Sequence, residues 1–452
     1  PDRQRMAVEM AYSHPLTIIS GGPGTGKTTI VTALIAALSM RDVPLRIALA
    51  APTGKAAARM EEALLKQARS LDPALQNRLP VQASTLHRLL GVRPQNGTFR
   101  YCRENPLPCD LLVVDEASML DLALAARLFS ALPPGARVVL LGDKDQLAAV
   151  EAGAVFADLA GRSSVSDDEE TSGKNESAAE TGSVSDCVVW LDENYRFSAA
   201  SPIGQLADLV VTGRERELAS WLSGQPRGDV HWQDAGDGLP KAFVEAILSG
   251  YESFFEAVKR GHPVEVLDAY GEFCVLCALR RGKRGVDGIN DMVARRLGLA
   301  AGPVKDSPWF DGRPVIITEN DYQLDLFNGD IGIALLGPDG HPDVWFRAKD
   351  LSVRSVSAWS LPEHQTAFAM TVHKAQGSEF QNVAFVLPER DSPVLTRELI
   401  YTAVTRAKKK LSIYGSMDVL QGAVCRSSVR RGNLAGRISA HRSKTAATQQ
   451  VK

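Results

Sequence analysis

Residues 21–28 read GGPGTGKT and stand between the apolar run LTII and a stretch of helical character over about residues 27–39. An apolar run, a glycine-rich turn and a helix in that order leave the backbone few choices. The run is a strand, the small residues wrap a tight loop, and the helix begins with its amide groups and positive dipole end facing that loop. The eight residues fit GxxxxGK[ST], which in this setting cradles a phosphate group. A bare glycine turn is the bland alternative, and the strand and helix on either side argue against it.

The alternation continues. LRIALAA, a helix after Lys55, LLVVD and RVVLLGD follow one another up to Gly142. Short apolar runs separated by helices predict a parallel sheet covered on both faces, an α/β nucleotide-binding domain. At 452 residues the chain is too long for one core, so two or three domains are expected. The first is expected over residues 1–190. It is interrupted at about 161–186 by GRSSVSDDEETSGKNESAAETGSVSD, too poor in apolar groups to offset its ordering entropy and so read as a disordered insertion. Order resumes with VVWLDENYRF, followed by helix-like polarity through about Arg260. The runs FCVLCAL, RPVIIT, IGIALL, VAFVL and LSIYG then supply a second domain over 191–425. The segment 307–361 reads as a small β-rich insertion, with hairpin signals in FNGDIG and PDGHPD. Residues 426–452 contain no acid and read as a basic flexible tail.

The net charge of -2 excludes a histone-like binder held by charge alone, but not DNA binding through local phosphate contacts. No stretch approaches the roughly 20 apolar residues that cross a bilayer, so no membrane is expected, and a cytoplasmic location follows. Six cysteines without framework spacing read as free thiols. Cys274 and Cys277 have CxxC spacing, but in a strand positions three apart point to opposite faces, against a shared metal or disulfide. The chain opens at Pro1 without a Met, and its first motif follows within a few residues, which points to a beginning that lies elsewhere.

Gly22, Pro23, Gly24, Thr25, Gly26, Lys27, Thr28 and Thr29 are the expected nucleotide-binding residues. Lys27 bridges the β- and γ-phosphates, and the Thr28 hydroxyl ligates Mg2+. LLVV ends in Asp115 and Glu116. A carboxylate at the carboxyl end of a parallel strand lies beside the phosphate loop, so Asp115 is the second metal ligand and Glu116 is placed to orient and deprotonate the attacking water. A lone DE pair is more often a solvated turn; joined to the loop upstream it gains weight.

A phosphate loop alone fits a kinase, a GTPase or a transporter ATPase. Further motifs decide among them: APTGKAAARM from Ala51, STLHRLLG from Ser84, GDKDQL from Gly142, NYRF from Asn194, TVHKAQGSEF from Thr371 and YTAVTRAK from Tyr401. Their order resembles that of superfamily 1 helicases, from Gln4 to Arg406, and the wording of the first two is similar to the RecD family in particular. The resemblance implies two RecA-like P-loop NTPase domains and an ATP-dependent DNA helicase on single-stranded and duplex-end DNA. By the same resemblance it moves 5′ to 3′ in double-strand break repair by recombination, with RecB and RecC as partners in a bacterial, nucleoid-associated complex. It implies an adenine contact for Gln4, a γ-phosphate sensor in Gln146, arginine fingers in Arg196 and Arg406, and a ribose contact in Glu379. Thr53, His87, Thr371 and His373 fall in the DNA-contacting motifs; for His87 and His373 a satisfied core histidine is the competing reading. The family's amino-terminal region, which contacts RecC, is not recognised in this sequence.

The physical logic of a motor agrees. Groups that bind a trianionic phosphate best should come from two bodies free to separate, and arginine suits this because its planar fork stays charged. Two alternatives stay open at this stage: a DNA-binding scaffold whose ATPase does not drive motion, and a stand-alone helicase, on DNA or RNA.

Overall fold

The computed structural model describes residues 2–40, 45–69, 82–93, 97–148, 153–160, 187–195, 201–224, 228–236, 238–296, 308–321, 323–348, 352–428 and 434. The expected insertion at 161–186 and nearly all of the tail lie outside them. The chain divides into two compact units, Pro1–Tyr195 with Val429–Lys452, and Arg196–Ser428. Among the described residues no helix is long and apolar enough to cross a membrane.

The first unit begins with helix α1 (Asp2–Ser13), then alternates β1 (Leu16–Gly21), α2 (Lys27–Ser39), β2 (Ile47–Ala51), α3 (Gly54–Ala68) and β3 (Ala83–Thr85). A small antiparallel hairpin, β4 (Val92–Arg93) with β5 (Thr98–Phe99), precedes β6 (Leu111–Val114), β7 (Arg137–Gly142) and β8 (Val188–Leu191). The six-stranded sheet has the order β3-β2-β6-β7-β1-β8, every pair parallel. Its strands are apolar without alternation because both faces are buried. Ile19, Leu49, Val113 and Leu141 pack with Ile30, Leu34, Met60 and Ala7 of α1–α3. Ile18, Ala50, Val114 and Leu140 pack the other way, onto Leu124, Leu128 and Phe156.

The second unit holds two sheets. The parallel one has the order β16-β10-β17-β18-β9, built from β9 (Val230–Asp234), β10 (Phe273–Cys277), β16 (Ala369–Thr371), β17 (Phe380–Val386) and β18 (Ala407–Gly415). The other is antiparallel, order β14-β13-β12-β11-β15, from β11 (Arg313–Ile317), β12 (Ile331–Leu336), β13 (Pro342–Arg347), β14 (Val353–Ser357) and β15 (His364–Thr366). RPVII and IGIALL therefore belong to this inserted sheet, and PDG forms the β12–β13 turn with Gly340 at φ 77°. Strand β9 is a correction to the helix-like reading of the stretch that follows VVWLDENYRF, through about Arg260. VHWQD has no strong strand pattern of its own; it becomes a strand by pairing with β18, Leu411 opposite Val230.

Tyr251 ties the second unit's core together. It is 1% exposed, meets Phe273 and Phe368 edge to face at 4.9 and 5.6 Å, and donates its hydroxyl to the Phe368 carbonyl. Burial pushes its pKa well above 10, so the hydroxyl stays a donor. Tyr251→Ala is expected to cost about 3–5 kcal/mol, and Tyr251→Phe about 1–3 kcal/mol because the carbonyl is left unpaired, both read from urea unfolding.

Candidate nucleotide and nucleic-acid site

The phosphate loop sits where β1 stops. Gly24 and Gly26 both take φ near +85°, a region that costs any L side chain strain, and Gly26 is the residue from which α2 starts. A Cβ on Gly26 would also run into the amide of Gln4. The loop is braced from three directions. Thr25 Oγ1 donates to Gly22 O at 2.9 Å, Gln4 Nε2 on α1 donates to Thr25 O at 3.0 Å, and Asn194 Nδ2 and Tyr195 N donate to Pro23 O and Gly24 O, each at 2.9 Å. Lys27 Nζ donates to the Gly21 and Gly22 carbonyls at 2.6 and 3.1 Å, which sets its ammonium across the mouth of the loop. Thr28 is half-buried and Thr29 is exposed. Asn194 was not anticipated as a brace. Its only local signal was the NYRF wording, whose Arg196 lies outside the described residues.

Two carboxylates face Lys27. Asp115 follows β6 and accepts from its neighbour's amide, Glu116 N to Asp115 Oδ1 at 2.8 Å. Protein surrounds it so closely that burial, reinforced by the Glu116 charge, pushes its pKa up to about 6 although Lys27 pulls the other way. Glu116 itself holds φ 51°, the left-handed region that a side chain with a Cβ rarely enters. The second carboxylate is Asp143, at the end of β7 and 2% exposed. Burial raises its pKa and Lys27 lowers it, and it accepts from Gln146 Nε2 at 2.9 Å. Sequence reasoning missed Asp143, yet the signal was present: it ends the apolar run RVVLLG as Asp115 ends LLVV, and β6 and β7 are neighbours.

At the same carboxyl edge, β2 and β3 pair with Ala51 opposite Thr85. Thr53 and His87 each follow these paired strands by two residues, at the start of the helix that comes next. Thr53 caps α3, its Oγ1 accepting from Ala56 N at 3.2 Å. His87 is exposed, its ring 6.3 Å from that of Phe99, so a core histidine is excluded there.

In the second unit, Thr371 ends β16 and its Oγ1 accepts from Lys374 N at 3.3 Å. His373 is half-buried in the turn that follows. Glu379 and Arg406 are brought together at the starts of β17 and β18, where Phe380 N donates to Arg406 O at 3.0 Å. Glu379 is paired with Lys408 at 3.2 Å. Arg406 is 2% exposed and donates to the carbonyls of Thr402 and Ser378, each at 3.1 Å. Its guanidinium is thus set by its own unit's backbone. Cys274 and Cys277 are buried thiols outside any disulfide and on different faces of β10, only Cys277 joining the aromatic core.

Comparison with known proteins follows the same division. The AAA domain family matches residues 4–152, and the UvrD-like helicase C-terminal domain family matches residues 366–414. The chain is 41% identical to RecBCD enzyme subunit RecD of Mycobacterium tuberculosis over 445 residues, covering 97% of this chain and 73% of that protein. It is 36% identical to the protein of the same name from Haemophilus influenzae, covering 97% and 72%. Against the ATP-dependent RecD2 DNA helicase of Deinococcus radiodurans the identity is 33%, covering 97% and 52%. Among solved structures, Bacteroides Pif1 bound to ssDNA shares the fold with a TM-score of 0.50 at 16% identity, covering 98% of this chain and 97% of that one.

The raised Asp115 pKa has a measurable consequence. Between the unfolded carboxyl value near 3.9 and the folded value of about 6 the folded chain binds more protons, so stability falls as pH rises through that window. In nucleotide-free, chelator-treated protein, Asp115→Asn is expected to raise stability at pH 7.5 by on the order of 2 kcal/mol and to flatten the pH dependence between about 4 and 6, followed by thermal unfolding.

Proposed function

The chain belongs to the RecD family of DNA helicases, and from that premise we propose that it is an ATP-driven motor on single-stranded DNA, moving 5′ to 3′ as the RecD subunit beside RecB and RecC. The observation that carries the reading is the convergence of Lys27, Asp115, Asp143 and Gln146 on one braced phosphate loop. A loop ammonium facing two carboxylates is the arrangement phosphoryl transfer needs, because that reaction is catalysed by positioning and charge stabilisation more than by covalent chemistry.

In this reading Gly22–Thr28 amides and Lys27 bind the triphosphate, and Gln4 lies beside the base. Thr28 and Asp115 offer the hard oxygen donors that magnesium takes when phosphate oxygens and water complete its shell. Among the described residues no cluster of three or more acidic, histidine or cysteine side chains could hold a metal unaided, which fits an ion that arrives with the nucleotide. When bound, magnesium would neutralise charge on the phosphates. Glu116 orients water and accepts its proton. Gln146 bonds the buried Asp143, so a change at the γ-phosphate reaches the end of β7 through one hydrogen bond.

Arg196 is assigned to the γ-phosphate from the second unit, Arg406 to the same group once its guanidinium leaves the Thr402 and Ser378 carbonyls, and Glu379 to the ribose. Thr53, His87, Thr371 and His373 contact the strand through groups common to every sequence, as a translocating protein requires. The same reading puts the work of the chain in double-strand break repair, in the cytoplasm at the nucleoid.

The deciding measurement is the ATPase rate with and without single-stranded DNA; a rate indifferent to DNA removes the motor reading. Lys27→Gln is expected to lower the stimulated rate by about 10²-fold or more and to stop unwinding, and Glu116→Gln to lower kcat by about 10²–10⁴-fold while nucleotide still binds. Unwinding unaffected by Lys27→Gln in the assembled complex would favour a scaffold instead.

A further inference from the structure

Strands β17 and β18 start side by side. Phe380 pairs with Ala407, and Phe380 N donates to Arg406 O at 3.0 Å. Two residues on, the register has slipped: Asn382 pairs with Lys410, so Lys408 and Lys409 together stand opposite Gln381. Two residues against one make a β-bulge, which interrupts the ladder and re-aims a side chain. The bulge carries the first two of three consecutive lysines, Lys408, Lys409 and Lys410. Lys408 reaches back toward the start of β17, its Nζ 3.2 Å from Glu379 Oε2. The lysine side chain is 38% exposed and that of Glu379 10%.

The simplest role for such a pair is a brace between strands, and the junction does not need one. The Phe380 amide already holds the strand starts together, and beyond the bulge the pairing runs on from Asn382–Lys410 to Val386–Tyr414. A pair whose lysine is open to water adds little to stability. What the pair governs is the state of Glu379. A carboxylate withdrawn from water is costly to keep charged unless a cation faces it, and Lys408 is that cation. An ionised carboxylate only accepts hydrogen bonds, and those it takes from neutral hydroxyls are charge-assisted and strong. With the ammonium stationed at Oε2, the carboxylate is also held against turning into water.

We propose that Lys408 is a positioning residue for the nucleotide sugar: its ammonium holds the Glu379 carboxylate ionised and oriented to accept from a ribose hydroxyl, so that ribonucleoside triphosphates are selected over deoxy ones. The inference rests on the reading of Glu379 as the ribose contact and adds the residue that makes that contact selective. Without the cation the carboxylate turns to water or takes up a proton. Either change weakens the acceptor, while the phosphate loop of the first unit keeps its own contacts.

The test is the steady-state ATPase of the full chain, saturated with oligothymidylate, on ATP, 2′-deoxyATP and 3′-deoxyATP. For the analogue that lacks the bonded hydroxyl, the parent is expected to show kcat/KM lower by about 10–10²-fold, the worth of a hydrogen bond to a charged acceptor. In Lys408→Ala that preference falls to within roughly threefold, the loss appearing as a raised KM for ATP rather than in kcat. Lys408→Arg keeps the preference, and so does Lys409→Ala, its neighbour in the bulge. Adding Lys408→Ala to Glu379→Ala removes no further preference. Thermal unfolding of each variant confirms folding. A parent preference retained in Lys408→Ala but lost in Glu379→Ala overturns the role of Lys408 and leaves the ribose contact standing. So does a KM that rises by the same factor for all three nucleotides, the signature of a brace. A parent indifferent to the sugar, or a Glu379→Ala variant that still prefers ATP, overturns the ribose assignment and this inference together, while the motor reading survives.

Discussion

Asp115, half-buried, and Asp143, buried, stand after neighbouring strands and share the field of the Lys27 ammonium, to which Arg59 adds at Asp115. Burying a carboxylate without a partner is costly, and one lysine facing two of them, itself held to the Gly21 and Gly22 carbonyls, does not fully offset that cost. Asp115 is left with a pKa of about 6. A site in this condition gains from added positive charge. The first unit's framework, with α1, β8 and the Asn194–Tyr195 segment bracing the loop, holds these groups in place against their own repulsion.

The second unit uses arginine differently. Arg284 and Arg406 are both nearly inaccessible and both donate to backbone carbonyls, so each fixes the path of a loop at the edge of the parallel sheet. Guanidinium suits this role because its donors are fixed in a plane and it is only weakly hydrated, which limits the desolvation cost. The two loops lie at opposite ends of the strands, one after β10 and one before β18. The antiparallel sheet is joined to this frame through Asn290, whose amide donates to Thr366 O at 2.8 Å and whose carbonyl accepts from Ala369 N at 2.9 Å. One side chain thereby spans the junction between β15 and β16.

Local order along the chain was legible. The GGPGTGKT loop between a strand and a helix needs Gly at two positive-φ positions and a helix start directly after, and these are properties of consecutive residues. The runs that became β1, β2, β6 and β7 are apolar throughout because both faces of a parallel sheet are covered, a pattern that needs no partner to be seen. Asp115 could be placed beside the loop by the same rule. Asp143 obeys the same rule, although within GDKDQL the motif resemblance singles out Gln146.

Amino-acid order by itself thus determined the phosphate loop, the alternation of strand and helix, and the existence of a second sheet-bearing region. Tertiary structure decided which strands are neighbours, and with them the placing of Asp143 in the field of Lys27, the status of VHWQD as an edge strand, and the inward turn of Arg284. The physical reason is the range of the forces involved. Backbone torsion and apolar periodicity act between residues a few positions apart, whereas ladder pairing and desolvation of charge depend on segments a hundred or more residues away, as where Val230 meets Leu411 and Lys27 meets Asp143.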